Sequence, residues 1–133
     1  MSDKPAFLKH LREDIFIRIK PSPIHGVGIF TEKNIAKGAN PFRLHKPLKW
    51  VGLEKQDIKG LPDHVKKIIA DFYAPDGEKT YIPANGLNVF DITFYINHSD
   101  TPNMITTDGG ENFVAARDIA AGEELTSDYN TYY

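Results

Sequence analysis

Twice in this chain an apolar run ends in a corner of the same make. The first is Asn34-Ile35-Ala36-Lys37-Gly38-Ala39 and the second is Asp118-Ile119-Ala120-Ala121-Gly122-Glu123. Each has an isoleucine, two further residues and then a glycine. Two hairpin-like corners of the same make suggest a fold assembled from short strands and tight turns. Two copies are too few for a repeat architecture, in which several units must stack to bury a common core.

The remaining pattern agrees with short elements. Met1 to Arg12 reads as a short helix, with Phe7, Leu8 and Leu11 at helical spacing. Asp14 to Lys20 reads as a strand with Ile15, Ile17 and Ile19 on one face, stopped by Pro21-Ser22-Pro23. Ile29 to Lys33 reads as a second strand. The clearest helix spans Leu61 to Tyr73. Pro62 suits its first position, and Val65, Ile68, Ile69 and Phe72 form one apolar face. Between Pro41 and Lys59 the signals are weak. Ile92 to Ile96 alternates as a strand, and Ile105 to Thr107 pairs with Phe113 to Arg117 across Asp108-Gly109-Gly110.

A length of 133 residues suits one domain with one modest core. No apolar run is long enough to span a bilayer, and the N-terminus lacks a secretory apolar region. There is no cysteine, which excludes disulfides, thiolate zinc sites and cysteine nucleophiles together. An intracellular setting, cytoplasm or nucleus, is the expectation. Charge is uneven: residues 1–70 carry 14 Lys and Arg against 7 Asp and Glu, whereas residues 71–133 carry 2 against 11. The acidic part favours cationic partners and disfavours nucleic acid.

Two stretches carry candidate chemistry. Tyr95-Ile96-Asn97-His98-Ser99-Asp100-Thr101-Pro102-Asn103 is dense in hydrogen-bonding side chains. Gly122-Glu123-Glu124-Leu125-Thr126-Ser127-Asp128-Tyr129 is a turn and a strand ending in an acid and a phenol. Near the N-terminus, Gly26-Val27-Gly28 lets the backbone turn sharply or approach a partner closely. It is not a dinucleotide fingerprint, since the third glycine is missing. The five histidines are scattered, so no metal site is expected. His98, Ser99 and Asp100 are adjacent, and a hydrolase relay draws its members from separated positions. Glu123 and Glu124 diverge on a strand and make a poor glycosidase pair.

Three ordered pieces of the chain resemble the SET-domain family of lysine methyltransferases. They are His25-Gly26-Val27-Gly28-Ile29-Phe30 with Ile35 to Gly38, Tyr95 to Ser99 with Pro102-Asn103, and Phe113 through Tyr129. The resemblance runs from about residue 14 to the C-terminus, leaving residues 1–13 as an N-terminal extension and 14–133 as the SET domain. It implies a mostly β fold with short helices, a β-clip of small sheets whose terminal segment tucks under the Asn-His-Ser loop as a pseudoknot. It further implies S-adenosyl-L-methionine as methyl donor and a lysine-containing protein or peptide as acceptor, with no membrane and no direct nucleic-acid binding.

By the same resemblance Gly26, Val27, Gly28, Asn97 and His98 hold the cofactor, and Tyr132 or Tyr133 packs on its adenine. Tyr129 is the catalytic phenol and Tyr81 lines the lysine channel, with a plain core tyrosine as the alternative for Tyr81. Ser127 stands where many relatives have Phe or Tyr, which leaves the number of methyl groups transferred open. A catalytically weak peptide-binding module of the same fold is the alternative function. Oligomeric state is not readable from the chain.

Overall fold

A computed structural model describes residues 3–132. The chain forms two compact units: residues up to His45 together with those from Tyr95 onward, and an inserted unit of Lys46–Phe94.

In the first unit the two corners meet. Ile35 and Ile119 face each other in an antiparallel bridge and exchange both backbone hydrogen bonds at 2.8 Å. The surrounding bonds come in pairs related by swapping one corner for the other. Asn34 Oδ1 accepts from Ala121 N at 2.9 Å, and Asp118 Oδ1 accepts from Lys37 N at 2.8 Å. Gly38 N donates to Ala115 O at 2.8 Å, and Gly122 N donates to Thr31 O at 2.7 Å. Ala115 N donates to Ala39 O at 2.9 Å, and Thr31 N to Glu123 O at 3.0 Å. The corners are thus halves of one approximately two-fold structure. Gly38 and Gly122 turn at φ of 86° and 94°, a region strained for residues with a Cβ. Ile35 and Ile119 are each 1% exposed and sit in a core with Ile29, Ile96, Met104, Phe113 and Leu125.

This junction sets the strand order. β1 (Ile17–Pro21) pairs with β2 (Val27–Thr31), and β2 pairs with β8 (Glu124–Ser127) in the register Ile29 to Leu125 and Phe30 to Glu124. On its other side β8 takes β5 (Asn97–His98) as a parallel neighbour, Asn97 to Thr126 and His98 to Ser127. The loop after β5 is fastened to β8 again at its far end. Asn103 Nδ2 donates to Glu124 O and its Oδ1 accepts from Thr126 N, both at 2.8 Å. Ser99 N donates to Ser127 O at 3.0 Å. The terminal segment is therefore clasped by the Asn97–Asn103 loop. A small hairpin of β6 (Met104–Ile105) and β7 (Val114–Ala115) joins Ile105 to Val114, close to the expected pairing.

One expected strand is a correction. Ile92–Tyr95 is a 3₁₀ turn, and extended pairing begins only at Asn97. The reason is local: Asp91 Oδ1 accepts from Thr93 N at 2.9 Å and Thr93 Oγ at 2.8 Å, which nucleates a turn where the apolar alternation suggested a strand. The N-terminal helix, α1 (Lys4–Glu13), forms, but Phe7, Leu8 and Leu11 remain 40–45% exposed. Met1 and Ser2, also included in that expectation, lie outside the described residues. The first strand starts later than expected, at Ile17, and Ile15 and Ile19 are exposed.

The inserted unit contains β3 (Trp50–Glu54), α2 (Lys55–Lys59), α3 (Asp63–Phe72) and β4 (Lys79–Pro83). β3 and β4 pair antiparallel, with Gly52 opposite Tyr81. The Leu61–Tyr73 helix is found as α3, with Pro62 as the residue before it. Helix α2 had no sequence expectation; the Asp57 carboxylate accepts from Glu54 N at 2.9 Å and starts it. Ile69, Tyr73 and Ile82 form this unit's core, flanked by Leu53, Val65, Leu87 and Phe94. Burial, aided by the nearby Asp91 charge, pushes the Tyr73 phenol above its ordinary pKa, and its buried hydroxyl finds no partner among the described residues. Among those residues no helix is long and apolar enough to cross a membrane.

Two measurements test the paired corners. Asn34→Ala and Asp118→Ala each remove a side-chain acceptor at matching positions, so each lowers stability in denaturant unfolding, by about 1 kcal/mol for the neutral amide and by about 1.5 kcal/mol or more for the carboxylate. A loss at only one of the two positions would contradict the two-fold. The second corner also carries a pH response. The Arg117 guanidinium and Ala120 N–H bond Glu123 and hold its carboxyl below the usual range. A depressed carboxyl stabilises above its unfolded pKa, and that stability is lost as pH falls through the folded value. Glu123→Gln therefore shows a shallower fall in melting temperature on acidification than the parent chain.

Candidate functional site

The pairing of β2 with β8 brings the Gly26-Val27-Gly28 turn against Glu124, and the pairing of β5 with β8 brings Asn97 to the same place. Asn97 is 7% exposed and its Nδ2 is surrounded by acceptors. These are the carbonyls of His25 and Val27 and the Ser22 hydroxyl, each at 3.1 Å, and Glu124 Oε2 at 2.9 Å. That environment fixes the amide with nitrogen inward, since the reverse would set oxygen against oxygen. Asn97 Oδ1 then faces away and accepts no hydrogen bond from the described residues.

Glycine at position 28 has a reason the sequence did not show. A Cβ there would lie 2.2 Å from Glu124 Oε2 and 3.1 Å from Asn97 Nδ2, so the Glu124 carboxylate occupies the space a side chain would need. Gly26 has φ of 48° with open space around its missing Cβ, so its demand is conformational. Gly26 and Val27 are exposed, whereas Gly28 is buried.

The second part of the site lies along the other side of β8. His98 Nδ1 accepts from Tyr129 N at 3.0 Å, which places the ring proton on Nε2, where it bonds Asp100 Oδ1 at 2.9 Å. Ser99 Oγ is directed to Thr101, so His98, Ser99 and Asp100 form no relay. The Tyr129 ring packs edge-on to His98 at 5.2 Å, and its hydroxyl donates to Ile96 O, the carbonyl just before Asn97. Tyr129 is half-buried, at the start of the 3₁₀ turn Tyr129–Thr131 that Asp128 caps. Tyr132 bends back: its hydroxyl meets Ser127 Oγ at 2.6 Å, and its ring packs edge-on against Phe113 at 5.3 Å and near Gly110.

Of the residues singled out in the sequence, Gly26, Val27, Gly28 and Asn97 come together at the Glu124 carboxylate. His98, Tyr129 and Tyr132 come together around Ser127 and Ile96. Tyr81 lies in the inserted unit, on β4, 43% exposed and packed over Gly52. Tyr133 lies outside the described residues. Two residues escaped the sequence reading, Ser22 and Glu124. Ser22 passed for part of a strand-stopping Pro-Ser-Pro, and Glu124 for half of a divergent pair. The pair does diverge: Glu123 goes to Arg117 at 2.9 Å and Glu124 to Ser22 at 2.7 Å. Among the described residues no group of His, Asp and Glu is placed to hold a metal ion.

Comparison with known proteins gives three likenesses. The family model described as the SET domain matches residues 26–130. A histone-lysine N-methyltransferase of Aspergillus fumigatus, H3 lysine-4 specific by name, is 33% identical over 119 residues. The match takes in 85% of this chain but only 9% of that much longer relative. Among solved structures, a presumed histone methyltransferase of Plasmodium falciparum superposes with a TM-score of 0.52 at 20% identity, over 86% of this chain and 93% of that one. At that identity the likeness concerns the fold.

The Gly28 contact makes a testable pair. Gly28→Ala forces the Glu124 carboxylate aside and destabilises by about 1–3 kcal/mol. In a Glu124→Ala background the same change costs much less, and the unfolding free energies of the four chains give the coupling. Equal penalties in both backgrounds would contradict the contact.

Proposed function

The chain belongs to the SET-domain family, and on that premise we propose that it transfers a methyl group from S-adenosylmethionine to the side-chain amine of a lysine in a protein. The observation that carries this reading is the Tyr129 phenol. Its hydroxyl is directed at Ile96 O and its backbone N–H at His98 Nδ1, which holds the phenol beside the Asn97–His98 strand, and a phenol oxygen there has the chemistry to accept from an amine N–H. An amine bonded in that way has its own lone pair oriented, and a fixed near-attack geometry is worth up to about 7–11 kcal/mol of barrier. Tyr129 need not be the base.

The residues fit the cofactor. S-adenosylmethionine supplies an electrophilic methyl carbon on a sulfonium, together with a cationic amino end. Asn97 Oδ1 is an acceptor left over after the amide nitrogen has been used on the carbonyls of His25 and Val27, and Gly26 and Val27 are exposed. The His98 ring is held in place by Tyr129 N on Nδ1 and Asp100 on Nε2, which orients it beside Tyr129. Tyr132 has its hydroxyl engaged by Ser127 and offers ring surface only. Ser127 thus faces a phenol brought in from five residues downstream, so the room left by its small side chain is partly taken by Tyr132.

The acceptor must arrive uncharged, although free lysine has a pKa near about 10.4. A sulfonium nearby and desolvation in the site both disfavour the ammonium. The excess of acid in residues 71–133 suits a basic protein as substrate, a histone among the candidates, in the nucleus or cytoplasm.

Tyr129→Phe tests the reading. Turnover on a basic protein, measured by transfer of labelled methyl, falls about a hundredfold or more, while calorimetric affinity for the cofactor stays within a factor of about two. Unchanged turnover removes Tyr129 from the reaction. A parent chain that takes up peptide but shows no cofactor affinity would point instead to a peptide-binding module.

A further inference from the structure

We infer that Glu124 is the fixed negative charge that receives the cationic amino end of the methyl donor. The inference rests on the reading above, in which that end lies on the Gly26–Gly28 turn.

The Glu124 carboxylate is half-buried against Gly28. Its two oxygens accept from Ser22 Oγ at 2.7 and 2.8 Å, and one also accepts from Asn97 Nδ2 at 2.9 Å. Both donors are neutral. No Lys, Arg or His pairs with Glu124 among the described residues, in contrast to Glu123 beside it, which has Arg117. A carboxylate withdrawn from water without a counter-ion is unfavourable, and proteins normally pair such a charge.

Hydrogen-bonding capacity is unbalanced in the same direction. The Asn97 amide nitrogen has two protons, yet four acceptors crowd it: Glu124 Oε2, His25 O, Val27 O and Ser22 Oγ. Two of the four have a further donor at hand: Ser22 Oγ accepts from Ile24 N at 3.0 Å, and Glu124 Oε2 accepts from Ser22 Oγ at 2.8 Å. The turn therefore has more acceptors than protons and a net negative charge, beside the exposed backbone of Gly26 and Val27. A primary ammonium has a positive charge and three N–H donors, so it satisfies both deficits at once. An anion is repelled there, so a phosphate ligand does not suit this turn.

Glu124→Gln removes the charge and keeps the size and an acceptor oxygen. The test is calorimetry on the parent chain and this variant with two probes: S-adenosylhomocysteine, which has the ammonium, and 5′-methylthioadenosine, which lacks the whole amino-acid end. The inference requires Glu124→Gln to weaken S-adenosylhomocysteine binding by about tenfold or more while leaving methylthioadenosine binding unchanged. Equal affinity of parent and variant for S-adenosylhomocysteine overturns the inference and leaves the family reading standing. Parallel loss of both probes overturns it as well, since Glu124 would then act only by shaping the turn. Failure of the parent chain to bind either probe overturns the cofactor reading, and this inference with it.

Discussion

The exchange of backbone hydrogen bonds between Ile35 and Ile119 is the contact from which the first unit's geometry follows. Each corner lends the other an acceptor side chain, a glycine N–H and a strand carbonyl, so neither is complete alone. Once they are joined, β2 and β8 have no choice of neighbour, and their register places Phe30 opposite Glu124. That register brings the Gly26–Gly28 turn to the Glu124 carboxylate. A slip of one residue would turn Glu124 to the other face of the sheet and leave Asn97 without its partners.

The same strand then organises a second set of groups on its far side. Because β5 runs parallel to β8, His98 lies beside Ser127, and the chain leaving β8 returns its Tyr129 N–H to the His98 ring. The phenol of Tyr129 ends on the carbonyl of Ile96. Asn97 thus stands between two neighbourhoods, its own side chain in the carboxylate cluster and the carbonyl before it under the phenol. The Glu124 carboxylate stands on one side of Asn97 and the Tyr129 phenol on the other.

Much of this was legible in the residues. The two corners stand out as a pair, because their glycines must adopt positive φ and their isoleucines must be buried. Their pairing with each other was not legible, since contacts between distant segments leave no local periodicity. Ile92 to Ile96 misled because strand-like alternation is weaker information than the Asp91 carboxylate, which closes a turn on Thr93. Gly28 has a further reason that the residue pattern does not carry, since the Glu124 carboxylate fills the space a side chain there would need. The motifs at Asn97, His98 and Tyr129 were visible only together and in order. How His98 and Tyr129 meet depends on β5 running parallel to β8, which local pattern cannot give.

We propose that the segments around Gly26, Asn97 and Tyr129 form one cofactor-binding surface. It is tested most directly by amide proton–nitrogen correlation spectra recorded while S-adenosylhomocysteine is added. The account predicts that the Asn97 side-chain amide and the backbone signals of Gly26, Val27, Gly28, His98 and Tyr129 shift together along one binding curve. Spectra in which those signals stay fixed, or in which the shifts fall only elsewhere in the chain, would contradict it.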